Sequence, residues 1–237
     1  MLKLSKIYNF AKNSGMQIQE NLVRIKQQIP ENVNLVAVSK TKPNEDILEA
    51  YAGGQRAFGE NKAQEIISKQ PELPADIQWH FIGHLQRNKV KYIVPFVHLI
   101  HSVDSARLLR EINKEAAKIN RITDCLLQFH IATEETKFGL DMHEAAEILT
   151  SDDFVRMNHI NIRGVMGMAT FTEDQERVKN EFNKLVSIFK YMKTSFFKEA
   201  DSFSIISGGM SGDYPLAIEA GCNMIRVGSD IFGERVY

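Results

Sequence analysis

Cysteine, tryptophan and proline are scarce in this chain: two, one and six among 237 residues. Cys125 and Cys222 lie far apart, with no C-x-x-C spacing. This argues against a disulfide framework and a thiolate zinc site, and makes a reducing cytoplasm the expected compartment. An excess of one charge is also missing. The 29 Lys+Arg face 30 Asp+Glu, a formal net charge of −1, which speaks against a basic surface for nucleic-acid phosphates. No apolar run approaches the ~20 residues that cross a bilayer. The opening Met1–Phe10 alternates lysine with apolar residues and has neither the unbroken apolar region nor the cleavage site of a secretory signal. Without a low-complexity linker or a break in composition, the expectation is one domain over residues 1–237, a length that single α/β barrels reach.

What the chain does have is a repeating unit. A helical opening comes first: Leu4, Ile7, Tyr8, Met16, Ile18, Leu22, Ile25 and Ile29 recur at spacings near three and four, and Pro30 ends the run. Val33–Val38 is then a short, β-branched apolar run of strand length, followed by a helix over Asn44–Ala52 with Asn44 as its N-cap. The alternation continues. Arg56–Gly59 precedes a helix at Asn61–Lys69, Ile77–Ile82 precedes Gln86–Val94, and Val97–His101 precedes Asp104–Ile119. Asp124–Ile131 precedes Met142–Leu149, and Ile160–Val165 precedes a long polar helix at Asp174–Phe197. Phe203–Ile206 precedes Asp213–Ala220, and Asn223–Val227 is the eighth strand. Strands alternating with helices form parallel sheets through right-handed crossovers. Eight such units predict a closed (β/α)₈ TIM barrel preceded by an N-terminal helix. An open doubly wound sheet is the alternative; the G-x-G-x-x-G turn that would favour it is absent.

In a barrel of this kind, function collects at the C-terminal ends of the strands. Lys40 follows the first strand directly, and there desolvation would depress its pKa and let the amine form a Schiff base with a carbonyl. The bland alternative is a lysine emerging into solvent. Ser207-Gly208-Gly209-Met210-Ser211-Gly212-Asp213 after strand seven and Gly228-Ser229 after strand eight stand where barrels frequently bind phosphate; flexible turns would look similar. Arg226 shares a strand face with Gly228. A buried guanidinium needs a partner, either a core carboxylate such as Glu219 or Glu60 or an acceptor on a ligand. His80 and His84 straddle a strand end and do not have zinc-site spacing on one helical face. The basic run Gln86–Lys91 reads as a solvated helix face, or else a site for a separate phosphate compound. Met166 and Met168 read as core, and both cysteines as buried and inert.

The sequence resembles the pyridoxal phosphate homeostasis protein family along nearly its whole length. The stretches that carry the resemblance are Val36–Pro43, Phe58–Glu65, Trp79–Lys89, Ile100–Asp104, Lys137–Gly139, Arg163–Met166, Ser207–Ile218, Ile225–Ser229 and Ile231–Arg235. The resemblance implies a barrel like the N-terminal domain of alanine racemase, with pyridoxal 5′-phosphate (PLP) as a Schiff base on Lys40. It also implies phosphate contacts from Ser207, Gly228 and Ser229, with Arg226 directed at the pyridine nitrogen. The cofactor-binding set so implied is Lys40, Asn61, Met166, Ser207, Gly208, Arg226, Gly228 and Ser229, with no catalytic residue and no metal. One departure is visible: the family usually has Ser-Met-Gly-Met-Ser where this chain has Ser207-Gly208-Gly209-Met210-Ser211, and the extra glycine is expected to loosen that loop.

Arginine can only donate, so it would leave the ring nitrogen unprotonated and the ring a poor electron sink. Alanine racemases share the arginine and work by adding a tyrosine base from a second β-domain of the partner subunit, a domain that the present sequence, ending at Tyr237, does not carry. The expectation is a cytoplasmic, monomeric, non-catalytic carrier or buffer of PLP that supports vitamin B6 and amino-acid balance. Apo PLP-dependent enzymes are its candidate partners, and neither nucleic acid nor membrane is expected to be one. A weak amino-acid racemase or lyase is the alternative, and a phosphosugar aldolase using Lys40 is a third class.

Overall fold

The computed structural model describes residues 17–133 and 138–234. Helix α1 covers residues 17–28 and buries Ile18, Leu22 and Ile25, so the second half of the sequence periodicity is the docking face. Leu4, Ile7, Tyr8 and Met16 lie outside the described residues. Asn21 of α1 donates its amide to the Ile231 carbonyl at 3.0 Å, and Gln28 accepts from the Tyr214 hydroxyl at 3.0 Å. These bonds fasten the helix to the last two units of the fold.

Eight parallel strands follow, β1 (Asn34–Val38), β2 (Ala57–Glu60), β3 (Gln78–Phe81), β4 (Leu99–Val103), β5 (Thr123–Phe129), β6 (Ile160–Gly167), β7 (Ile205–Ser207) and β8 (Met224–Val227). They close in sequence order, β8 pairing with β1 from Asn34↔Met224 to Ala37↔Val227. The open-sheet alternative is thereby overturned. The intervening helices are α2 (Asn44–Ala52), α3 (Ala63–Lys69), α4 (Val90–Ile93), α5 (Ala106–Lys118), α6 (Met142–Thr150), α7 (Asp152–Val155), α8 (Gln175–Ser195) and α9 (Tyr214–Ala220). A closing turn, α10 (Ser229–Phe232), follows β8. No helix among the described residues is long and apolar enough to cross a membrane.

Alternation along each short strand sorts its residues between two cores. Leu35, Ala37, Ile225 and Val227 face the helices and join the large outer core. Val36, Leu99, Leu126, Met166 and Met224 face inward as a small separate cluster, the side-chain plug of a barrel interior.

Two local expectations are corrected, and two short turns are added. Pro43, not Asn44, holds the N-cap of α2; Asn44 is the first helical residue, and its amide is spent on Glu72 at 2.7 Å. Gln86–Val94 is not one helix but a 3₁₀ turn at Arg87–Lys89 leading into the four-residue α4. The turns α7 and α10 were not anticipated, because four residues are too few for a periodic pattern.

Candidate functional site

Above the inner plug, the barrel opens into a cavity of about 500 Å³ at the C-terminal strand ends, within the ~300–1,000 Å³ of small-molecule sites. Lys40, Asn61, Arg226, Gly228 and Ser229 all line it. Lys40 and Asn61 lie far in sequence from Arg226, Gly228 and Ser229, and only closure of β8 on β1 brings Lys40 to Arg226. Both segments leave neighbouring strands in the same direction, because the pairing is parallel.

Lys40 is part-buried at the corner of a turn in which the Lys42 amide donates to the Ser39 carbonyl at 3.0 Å. Thr41 closes that turn at φ 65°, a left-handed value that is an outlier for a β-branched residue. The neighbouring lysine has another task. Lys42 also lines the cavity, but its Nζ donates to the carbonyls of Phe232 at 2.7 Å and Glu234 at 3.2 Å, tying the chain after β8 back to the first loop.

Arg226 is 3% exposed. Neither carboxylate that the sequence offered is its partner: Glu60 bonds Ser39 and Lys69, and Glu219 pairs with Lys179. The guanidinium instead donates from Nη1 to Ser207 Oγ at 2.6 Å and from Nη2 to the Gly167 carbonyl at 3.1 Å. Both acceptors are neutral, so burial lowers its pKa to about 10, still far above neutrality. The chain of contacts continues inward. His101 Nδ1 lies 3.1 Å from the same Ser207 oxygen, and His101 Nε2 lies 2.8 Å from His80 Nδ1. Burial, followed by the nearby His98, brings His80 down to about 3; burial, His80 and Arg226 hold His101 well below its ordinary value. Two neutral imidazoles thus stand behind one cation. The sequence put His80 and His101 at strand ends and found no role for them; only the inward pleat of β3 and β4 reveals one.

The loop after β7 and the start of α10 form a polar rim. Ser211 Oγ accepts from the Gly228 amide at 3.2 Å, and Gly212 has open space where a side chain would stand. Ser229 begins α10, a single turn in which the amides of Ile231 and Phe232 donate to the Gly228 carbonyl. Asn61 adds a buried Oδ1 with no hydrogen-bond partner. A Cβ on Gly83 would meet the Asn61 carbonyl at 2.2 Å, so only glycine lets the β3 loop pass this close.

Three expected site residues are placed elsewhere. Met166 is fully buried in the inner plug, as its residue type suggested, and is not a lining residue. Ser207 is also fully buried, its hydroxyl committed to Arg226 and His101. Gly208 donates its amide to the Met224 carbonyl at 3.0 Å, and a Cβ there would lie 2.7 Å from Cys222 Sγ. It is a tightly packed outer-core glycine and does not loosen the loop. Ser211, Gly212, His84, Thr170 and Phe138 line the cavity without having been singled out as ligand contacts; Ser211 lay inside the glycine-rich stretch and was the legible one. Cys125 and Cys222 are free and buried, and burial pushes both thiols up, Cys222 to about 12.

Comparison with known proteins agrees with this geometry. The family model for the alanine racemase N-terminal domain matches residues 15–236. A pyridoxal phosphate homeostasis protein of Vibrio alginolyticus is 36% identical over 238 residues, covering 93% of this chain and 98% of the relative. The human protein of the same name is 34% identical over 233 residues, covering 93% of this chain and 84% of its own. The PLP-bound structure of PipY from Synechococcus elongatus superposes with a TM-score of 0.82 at 35% identity, over 92% of this chain and all of that one. With this similarity along almost its entire length, the chain belongs to the pyridoxal phosphate homeostasis protein family, built on the alanine racemase N-terminal-domain fold.

Proposed function

We propose that this protein binds PLP in the strand-end cavity and holds it in reserve for vitamin B6 and amino-acid balance, without turning over a substrate. The observation that carries the reading is the convergence of Lys40, the buried Arg226 and a hydroxyl- and glycine-lined rim on a single cavity. The rim fits an anion: Gly212 leaves the space open, and Ser211 and Ser229 bring hydroxyls. The unpartnered Asn61 Oδ1 offers an acceptor. Bound there, the cofactor supplies an electrophilic aldehyde, a ring nitrogen that accepts a hydrogen bond, and a phosphate. Lys40, directly after β1 and lining the cavity, is the residue that would hold the aldehyde carbon, while Lys42 ties the carbonyls of Phe232 and Glu234 to the first loop. Ser211, Gly228 and Ser229 would hold the phosphate. Arg226 would present a donor to the ring. Fixed by Ser207 and Gly167 and protonated at neutral pH, it cannot take the proton-accepting part that a carboxylate plays in carbanion chemistry. This favours storage over turnover. Delivery to apo enzymes that need PLP belongs to the same reading, as does a reducing cytoplasm, supported by two unpaired buried thiols.

The test is uptake. Purified protein incubated with PLP and reduced with borohydride should carry one pyridoxyl group, on the peptide containing Lys40, and Lys40→Ala should abolish it. No uptake by the wild type removes the reading. Amino-acid racemisation at about 1 s⁻¹ or faster, an enzymic rate, would overturn its non-catalytic part.

A further inference from the structure

One ion-pair cluster, buried at Lys69 and Glu60 and partly exposed at Glu65, grips the backbone on both sides of Lys40. Lys69, on the last turn of α3, is 6% exposed and uses all three of its protons inside the protein. They go to the Ser39 carbonyl at 3.0 Å, to Glu60 Oε1 at 2.8 Å and to Glu65 Oε1 at 2.7 Å. Each carboxylate then returns to the β1 loop. Glu60 Oε1 accepts from Ser39 Oγ at 2.7 Å, and Glu65 Oε1 accepts from the Thr41 amide. Ser39 and Thr41 are the residues immediately before and after Lys40.

This staple answers a local conformational problem. Thr41 sits at φ 65° in the third position of the turn, a place that ordinarily calls for glycine, and such backbone strain persists only where surrounding contacts over-determine it. The Glu65 acceptor supplies one such contact. Glu60 is fully buried and its Oε2 has no partner, so Lys69 is the cation that makes the buried carboxylate tolerable. None of the three groups lines the cavity.

We infer that Lys69, Glu60 and Glu65 are positioning residues that aim Lys40 into the cavity and thereby determine which of its two neighbouring lysines captures the cofactor. The inference rests on the proposed PLP reading. Capture would replace the aldehyde C=O with a C=N double bond to Nζ, the oxygen leaving as water with both hydrogens of the neutral amine. Misplacing a reacting atom by about 1 Å can slow such a reaction by about a hundredfold, and without the staple the turn is free to relax by that much.

Two readouts test it on the full-length protein. The first is the rate and position of borohydride-trapped pyridoxyl, located by peptide mass spectrometry. The second needs no cofactor: the ratio of Lys40 to Lys42 methylation by formaldehyde and cyanoborohydride. Glu65→Ala should slow trapping by about tenfold or more and move part of the label to Lys42, with the methylation ratio changing likewise. Adding Thr41→Gly should restore the wild-type pattern, because glycine holds the positive φ unaided. Lys69→Met should reproduce Glu65→Ala; if it does not fold, the Glu65 pair decides alone. A Glu65→Ala protein with wild-type rate and label position overturns the inference, as does a defect that Thr41→Gly leaves unrepaired. If the wild type captures no PLP, the binding reading fails, and the methylation ratio still decides the staple.

Discussion

Arg226 Nη1 and Ser207 Oγ meet at 2.6 Å inside the barrel, across strands β8 and β7. The serine that the sequence assigned to a phosphate is thus the support on which the arginine rests. Arg226 reaches the cavity only because Ser207 and the Gly167 carbonyl hold its inner side, and His101 and His80 fill the space behind it.

Ser207→Ala should therefore weaken both stability and ligand binding. A buried charged donor would lose one of two acceptors, and such losses run to about 1–3 kcal/mol. Urea denaturation of the ligand-free protein should show a decrease of that size, and PLP uptake should weaken. A variant as stable as wild type would mean that water replaces the hydroxyl and that the serine is dispensable.

The histidine pair gives a pH dependence of definite sign. His80 and His101 are held below the ordinary 6.5 in the folded protein, His80 at about 3. As pH falls below about 6.5, the unfolded chain takes up protons that the folded one refuses. Stability should drop by about 2–3 kcal/mol between pH 7 and 5.5, at up to about 1.4 kcal/mol per pH unit for each histidine. Glu60 acts oppositely, since burial raises its pKa and its protonation favours the folded state as pH falls through that raised value. His101→Phe should flatten the slope, and denaturation curves that coincide at pH 7 and 5.5 would contradict the neutral pair.

Gly208→Met should be destabilising here. Its Cβ would lie 2.7 Å from Cys222 Sγ and 3.2 Å from the Phe182 ring, an overpacking that typically costs about 1–3 kcal/mol. Cys222→Ala in the same chain should recover part of the loss, because the nearest clash is with that sulfur. A double-mutant cycle by thermal or urea denaturation measures the coupling; a coupling of zero would mean that the loop moves instead.

Much of this molecule was readable before folding. The eight strand–helix repeats, the strand-end positions of Lys40 and Gly228-Ser229, and the inward face of Arg226 follow from periodicity of two along strands and from the rule that barrel sites lie at strand ends. These are properties of local sequence and direction, and they survive into the structure with small shifts at element boundaries. The partners of buried charge were not readable. Glu60 and Glu219 were both plausible for Arg226, yet its bonds go to Ser207 and Gly167, and the Glu60 carboxylate serves Lys69 and the Lys40 turn. The fate of Gly208 depended equally on Cys222 and Phe182. Which polar atoms meet inside a barrel depends on register and strand closure between segments far apart in the chain, so sequence alone determined where the chemistry could gather, and only tertiary packing decided which group holds which.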